Sequence, residues 1–310
     1  STWLKTLATE YGLGTTFTNT NVTGAATIGS GGSVSSSGMK SYIASAIAGK
    51  NLAPNGHTIY MLYLPEGVGE STDPTCQQFG GYHDVYSQSG AGNDGWAFAQ
   101  HCASPGLSKL QWMTSAASHE IIEAATDVVP GQGWTFPTTG NPSTQTAWAL
   151  LLGELGDLCV NTQTIDSGNV MTRVWSNAGA KTQGDPCGPA LKDPFYNVSV
   201  PKDWYPVTSG GTVTIPITGY STARVEDWAV QASVTKATQA GWSGALTSAT
   251  TIKAGGQTIA TINNGRSATL TITAPSAPKG SYASVYIASQ SLTTSLGDPY
   301  HLWPVGVYIP

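Results

Sequence analysis

From about Pro194 onward the chain has room for little besides short strands. Seven runs recur at close intervals: Tyr196 to Val200, Thr212 to Thr218, Val225 to Val234, Gln257 to Ile262, Ala268 to Ala274, Tyr282 to Ser289 and His301 to Ile309. Turn residues separate them. Asn263-Asn264-Gly265 is a hairpin signal, and Pro275 to Gly280 reads as the corner before a late strand. Seven such strands in about 115 residues bury their apolar sides only by packing two sheets together, which predicts an immunoglobulin-like β-sandwich over residues 194–310. Tryptophans of sandwiches usually fill the core. Trp228, Trp242 and Trp303 make a carbohydrate platform only if they lie on the surface.

Residues 1–193 have a different texture and predict an α+β domain. The first 35 residues are rich in Thr, Gly, Asn and Ser with little periodicity, and part of them is expected to lie as a strand. Met39, Tyr42, Ile43 and Ile47 recur every three or four residues, so Ser36 to Gly49 reads as a short helix. After the Asn55-Gly56 turn, His57 to Leu64 reads as a strand buried on both faces and closed by Pro65. Two further strands, Tyr82 to Ser87 and Gly95 to Gln100, stand in a loop-rich stretch. A helix then begins at Ser108, whose hydroxyl forms a capping box with Gln111, and runs to about Thr126 before Pro130-Gly131 stops it. Trp112, Met113, Ala116, Ile121 and Ala124 are expected to supply its buried side.

That helix carries the densest ionisable cluster of the chain, Ser118-His119-Glu120-Ile121-Ile122-Glu123-Ala124-Ala125-Thr126-Asp127. His119 and Glu123 are four apart and share a face, with Glu120 beside them. Zincin metallopeptidases place two metal ligands at this spacing, with a glutamate directly after the first as general base. Here Glu123 stands where the second imidazole would. A third ligand is available from Gly153-Glu154-Leu155-Gly156-Asp157-Leu158-Cys159, through Asp157 or Glu154, with the other orienting a ligand from behind; Asp127 is a further alternative. The expectation is a zincin-like domain in which His119, Glu123 and Asp157 hold one Zn²⁺. Glu120 is the general base on zinc-bound water, His83 stabilises the transition state, and the substrate is a peptide or protein. Ca²⁺ would suit Glu123, Asp127, Glu154 and Asp157 but leaves His119 unexplained. With a structural metal there, the chain reads instead as a non-enzymatic extracellular protein that binds cell-wall polysaccharide. Ser118 adjoins His119, yet neighbours on a helix do not face each other, so a serine hydrolase is disfavoured.

Composition narrows the partners. Charged residues are 10% and the net charge is -5, and this scarcity of Lys and Arg argues against a nucleic-acid or anionic-membrane partner. A surface kept in solution by hydroxyls and amides suits an acidic medium. No run reaches the roughly 18 apolar residues that a membrane span needs, and the start at Ser1-Thr2-Trp3 reads as a mature terminus left by processing. Cys76, Cys102, Cys159 and Cys187 form no close C-x-x-C pair and read as two disulfides of a secreted protein. Three pairings exist; local pairing, Cys76 with Cys102 and Cys159 with Cys187, leaves each bridge flanking the central helix. Asn21-Val22-Thr23 and Asn197-Val198-Ser199 are glycosylation sequons.

These blocks taken in order resemble the EXORDIUM, or phosphate-induced protein, family. The resemblance runs from Cys76 and Gly-Tyr-His83 through Cys102, Ser118-His119-Glu120 with Glu123 and Thr126-Asp127, and Gly-Glu154-Leu-Gly-Asp157-Leu-Cys159, to Val174-Trp175-Ser176-Asn177 before Cys187. It spans roughly residues 38–190. It implies an extracellular protein in which His119, Glu123, Glu154 and Asp157 are features of one site. The plant members carry no agreed enzymatic activity over to this chain. The added C-terminal β domain points towards a bacterial secreted enzyme with an accessory module.

Overall fold

The structure is a computed structural model and describes residues 2–13, 18–21, 32–50, 55–88, 91–104, 107–136, 146–150, 153–160, 162–181, 185–188, 196–254, 256–292 and 301–310. The chain divides into two compact units that share the sequence unevenly. The first takes Ser1–Thr135, Glu154–Gly156 and Ile165–Thr172; the second takes Phe136–Gly153, Asp157–Thr164 and Arg173–Pro310.

In the first unit, α1 (Thr2–Tyr11) is a helix, and the strand expected within the first 35 residues is Ser33–Val34. Trp3 and Leu7, one turn apart, bury one side of it. Its N-terminus is tied down by the Asp166 carboxylate, which accepts from the Trp3 amide at 3.1 Å, while the Trp3 indole donates to the Thr172 carbonyl. The short strands β1 (Ser33–Val34) and β3 (Gly69–Glu70) pair in parallel on either side of α2 (Ser36–Lys50) and β2 (Ile59–Tyr63). The centre is a three-stranded sheet in the order β2, β5 (Ala91–Ala99), β4 (Gly81–Gln88), with β2 parallel and β4 antiparallel to β5.

The middle strand explains how two helices use this sheet. Side chains alternate across a strand. Trp96 and Phe98 join Met39, Ile43 and Ile47 of α2 in one apolar cluster. Ala99, on the other face, joins Met113 and Ala117 of α3 (Lys109–Thr126). Large residues thus fill the α2 side and small ones let α3 come close. The cap of α3 is as the sequence predicts: Ser108 Oγ accepts from the Gln111 amide and the Gln111 side chain accepts from the Ser108 amide. Its buried side is not. Met113 and Ala124 are buried, but Trp112, Ala116 and Ile121 are only partly so, and Ser115, Ser118, Glu120 and Glu123 are buried instead. The reason is that α3 packs against β7 as well as against the sheet, so a polar stripe is enclosed along with the apolar one. Strand β2 is not buried on both faces either, since Tyr63 is 53% exposed. The Cys76–Cys102 disulfide ties the segment after β3 to the one that follows β5. In the hairpin of β6 (Gln163–Asp166) and β7 (Asn169–Thr172), the turn residues Ser167 and Gly168 both have positive φ.

The second unit is mostly β. Before the sandwich it holds two 3₁₀ turns, Ala147–Leu150 and Asp157–Cys159, then β8 (Val174–Trp175), α4 (Asn177–Lys181) and β9 (Cys187–Gly188). The Cys159–Cys187 disulfide joins the second turn to β9. Trp148 of the first turn packs edge-on against Trp175 and Trp303. The sandwich has a four-stranded sheet, β10 (Tyr196–Ser199), β12 (Thr212–Ser221), β17 (Ser267–Thr273), β14 (Ser243–Thr247). Its six-stranded partner runs β11 (Trp204–Pro206), β19 (His301–Tyr308), β18 (Tyr282–Gln290), β13 (Trp228–Ala237), β16 (Gln257–Ile262), β15 (Thr250–Ala254). Pairing of β11 with β19 in parallel and the order β19-β18-β13 follow the immunoglobulin pattern. The excursion between β13 and β17 departs from it, because β14 joins the four-stranded sheet before the β15–β16 hairpin returns to β13.

Ile215, Ile217, Leu270 and Ile272 of the four-stranded sheet and Val285, Ile287, Val305 and Val307 of the six-stranded sheet are all buried. Trp228, Trp242 and Trp303 are buried as well, which removes the carbohydrate platform they would have formed on the surface. Asn197 is fully buried and donates to the Leu302 carbonyl, so the second sequon offers no surface for a glycan; Val22 and Thr23 of the first lie outside the described residues.

Candidate metal centre

The candidate centre grows from the face of the sheet that meets α3. Along β4 this face carries Gly81 and His83, paired across to Ala99 and Ala97 of β5. A side chain at Gly81 would run into the Phe98 carbonyl and reach within 3.2 Å of Glu120 Cγ; one at Gly95 would come within 3.1 Å of the Ala124 methyl. The helix is therefore seated on glycine and alanine, and His83 is the polar group that projects into the contact.

Two residues of α3 and its C-cap, Asp127, answer it. His83 Nε2 lies 3.0 Å from the Asp127 carbonyl oxygen, and a carbonyl only accepts, so Nε2 carries the proton. His83 Nδ1 then faces both carboxylates, 3.6 Å from Glu120 Oε2 and 3.5 Å from Glu123 Oε2. The other oxygen of Glu123, Oε1, is 3.0 Å from His119 Nε2. His83, Glu120 and Glu123 have side chains no more than 7% exposed, whereas His119 is 16% exposed.

The electrostatics follow from burying two carboxylates beside two imidazoles. Burial by itself pulls His83 down, but Glu120 and Glu123 outweigh it and push its pKa up to about 10. Burial holds Glu120 above the usual carboxylate range, with the charge of Glu123 adding to the effect against the opposing pull of His83 and His119. Burial would raise Glu123 too, yet its contacts with His119 and His83 bring it down to about 2.

Gly156 closes the group from another side. A Cβ there would stand 2.6 Å from His119 Nδ1 and 2.8 Å from Glu123 Oε1, so the backbone at Gly156 lies directly on the pair. The motif reading gives this glycine no role; its signal is a glycine between two acidic residues, Glu154 and Asp157, where only backbone fits. Glu154 is half-buried in the same bend, and Asp157 follows Gly156 in the chain as the first residue of the 3₁₀ turn. The Asp127 carboxylate is turned elsewhere: it accepts from the amides of Gly131, Gln132 and Gly133 and anchors the loop after α3. Ser118 is committed to structure, its hydroxyl donating to the Ser115 carbonyl and accepting from the Thr172 amide at 2.7 Å.

The donor set has a chemical preference. Imidazole nitrogen with carboxylate oxygen suits zinc, while calcium takes oxygen ligands throughout. His83, Glu120 and Glu123 each offer a ligand atom, all within 4.8 Å of one another.

No protein-family model matches the sequence, and no curated protein is similar to it at a significant level. Solved structures match only weakly. A C. elegans MSP family member, WR4, is 12% identical over 36% of this chain and 97% of its own, with a TM-score of 0.26. Domains 1-6 of the surface layer protein SbsC are 14% identical over 40% of this chain and 14% of that one, at 0.26. A family 123 glycoside hydrolase from Clostridium perfringens is 8% identical over 37% of this chain and 27% of its own, at 0.25. The chain thus spans a small part of the second and third. At these scores none of them bears on function.

Proposed function

We propose that this protein is a secreted zinc-dependent hydrolase of peptide bonds, with a zincin-like catalytic unit and an immunoglobulin-like accessory sandwich. The observation that carries the reading is the geometry of α3: Glu123, buried, holds one oxygen 3.0 Å from His119 Nε2, and buried Glu120 follows His119 on the same turn. A helix standing on one face of a small sheet with its polar stripe enclosed supports the zincin-like reading of the unit. Two disulfides support an oxidising, extracellular location. No helix among the described residues is long and apolar enough to cross a membrane. The same blocks support kinship with the EXORDIUM family, as a bacterial secreted relative.

His119 and Glu123 would hold the ion. Asp157 is the third ligand in this reading, because it follows the glycine that lies on that pair; Glu154 is the alternative. When bound, zinc supplies a Lewis acid that acidifies a water and polarises a carbonyl. The rest falls to the chain. Glu120, with a carboxyl raised by burial, is suited to take the proton of the attacking water and deliver it to the leaving amine. His83 orients Glu120 and offsets negative charge as it develops. Carboxylate ligands leave less net positive charge on the ion than imidazoles would, so the burden on Glu120 grows.

Elemental analysis of protein purified without added metal tests the reading. Near one zinc per chain, lost in His119→Ala, is the expected result, and Glu120→Gln should then keep the metal while hydrolysis of a broad peptide library falls by about 10²-fold or more. Calcium as the bound metal, or no metal in either protein, would move the site to a structural role.

A further inference from the structure

We infer that His83, Glu120 and Glu123 form a second divalent-cation site, joined to the first through Glu123, and that filling it silences the hydrolase by taking Glu120 as a ligand. The silencing rests on the reading above, in which Glu120 is the base; the second site itself does not.

The orientation of His83 comes first. Its Nε2 proton is committed to the Asp127 carbonyl at 3.0 Å, the arrangement by which a backbone oxygen fixes the tautomer of a metal-ligating histidine and leaves Nδ1 to bind. Nδ1 is aimed between two carboxylate oxygens at 3.5 and 3.6 Å. Those separations exceed a good N–H···O hydrogen bond, which is about 2.9 Å. They are close to the spacing of ligands around an ion: nitrogen and oxygen atoms each about 2.0–2.1 Å from a tetrahedral zinc stand about 3.3 Å apart. The three side chains are 93% buried or more, so an ion bound among them would be held away from bulk water.

Glu123 links this group to the other. Its Oε1 faces His119 and its Oε2 faces His83, so one carboxylate presents one oxygen to each imidazole. That is how a bridging carboxylate serves two ions, which in two-metal sites stand about 3.5–4 Å apart. Glu120 belongs to the inner group alone. Ligation of one oxygen draws electron density from the whole carboxylate and fixes its orientation, so the ion that completes the inner group weakens the base and turns it from the water. Catalysis should run with one equivalent of zinc and fail with two.

The test is equilibrium dialysis of the full chain against rising Zn²⁺, with bound zinc counted by elemental analysis and folding checked by circular dichroism. Wild type should saturate at two equivalents, the second weaker than the first, and peptide hydrolysis should fall by about 100-fold or more as the second fills. His83→Gln should saturate at one. Glu120→Gln, nearly isosteric, should also lose the second equivalent and keep the first, so the result does not hang on one variant's folding. Cobalt in place of zinc should give a magnetically coupled pair in wild type and an isolated ion in His83→Gln. Saturation of wild type at one, or of His83→Gln at two, overturns the second site. Two equivalents with undiminished hydrolysis overturns the silencing. Failure of the hydrolase reading is separately visible. A single equivalent that His83→Gln removes and His119→Ala leaves would place the ion in the inner group and end both the bridge and the proposed active site.

Discussion

Gly156→Ala is the sharpest test of how the site is closed. The added methyl would meet His119 Nδ1 at 2.6 Å and Glu123 Oε1 at 2.8 Å, against 3.4 Å for the near edge of ordinary contact. The backbone or the pair must therefore give way by about 0.8 Å. Glu123 has little room to move, being buried and in contact with two imidazoles. The strain falls in the range of core overpacking, about 1–3 kcal/mol. For a unit of this size each kcal/mol lowers Tm by about 2–4 °C, so the transition of the first unit should fall by about 2–12 °C. Displacing a ligand or its support by such a distance should also weaken metal binding by about 10–100-fold. Calorimetry on chelator-treated protein reads the first effect without the second, and competition with a zinc indicator reads the second. Gly188→Ala is the control, since its nearest neighbour would be Ser176 Cβ at 3.8 Å, and it should cost less than about 0.5 kcal/mol. If Gly156→Ala melts with wild type and retains its metal, the Gly156 backbone does not lie on the helix as described.

Three further outcomes follow from the same geometry. In metal-free protein, His83 is raised to about 10 against an ordinary value near 6.5, so its stabilisation is whole below pH 6.5 and drains away as pH climbs towards 10. Raised Glu120 loses its part as pH rises above about 4.5, whereas Glu123, lowered to about 2, contributes above about pH 4.5 and loses its part as pH falls. Urea midpoints should therefore decline between pH 7 and 10, and His83→Gln should flatten most of that slope; an unchanged slope would refute the assignment. Ser108→Ala breaks the capping box of α3 and should cost about 1 kcal/mol by urea denaturation. Trp228→Ala, in the sandwich interior at 1% exposure, should cost about 3–5 kcal/mol; an unchanged unfolding curve with altered polysaccharide pull-down would return that tryptophan to the surface.

Local signals were the legible ones. The capping residues of α3 are encoded within four positions, so its start is read directly from Ser108 and Gln111, and its end at Thr126 from the Pro130-Gly131 that follows. In the sandwich the seven runs with apolar alternation are all strands, while β11, β14 and β15 escaped notice. Ser243-Gly244-Ala245-Leu246-Thr247 has little apolar content to alternate, and its pairing with β17 supplies the order that its composition does not. The helix Thr2–Tyr11 was hidden because two buried residues, Trp3 and Leu7, carry most of its docking. Site residues on one helix could be found by counting, as His119, Glu120 and Glu123 were. His83 could be placed beside them only through the antiparallel register of β4 on β5 and the glycine and alanine face around it. That information lies in the tertiary pairing, which no single stretch of sequence contains.

The replacement of the second zincin imidazole by Glu123 takes on a different meaning in this setting. A histidine four residues after His119 would offer one nitrogen to an ion and would place its ring edge, with no second lone pair in the same direction, toward His83. A carboxylate offers two oxygens about 2.2 Å apart, and in this structure they are divided between His119 and His83. Glu123→His therefore should not restore a conventional zincin site. It should leave His83 and Glu120 without their third partner, so bound zinc would stop at one equivalent and the alkaline slope set by His83 would shrink. A Glu123→His protein that binds two zinc ions would show that the bridge is not made by this residue, and that the resemblance of the helix to a zincin motif is the better guide to its chemistry.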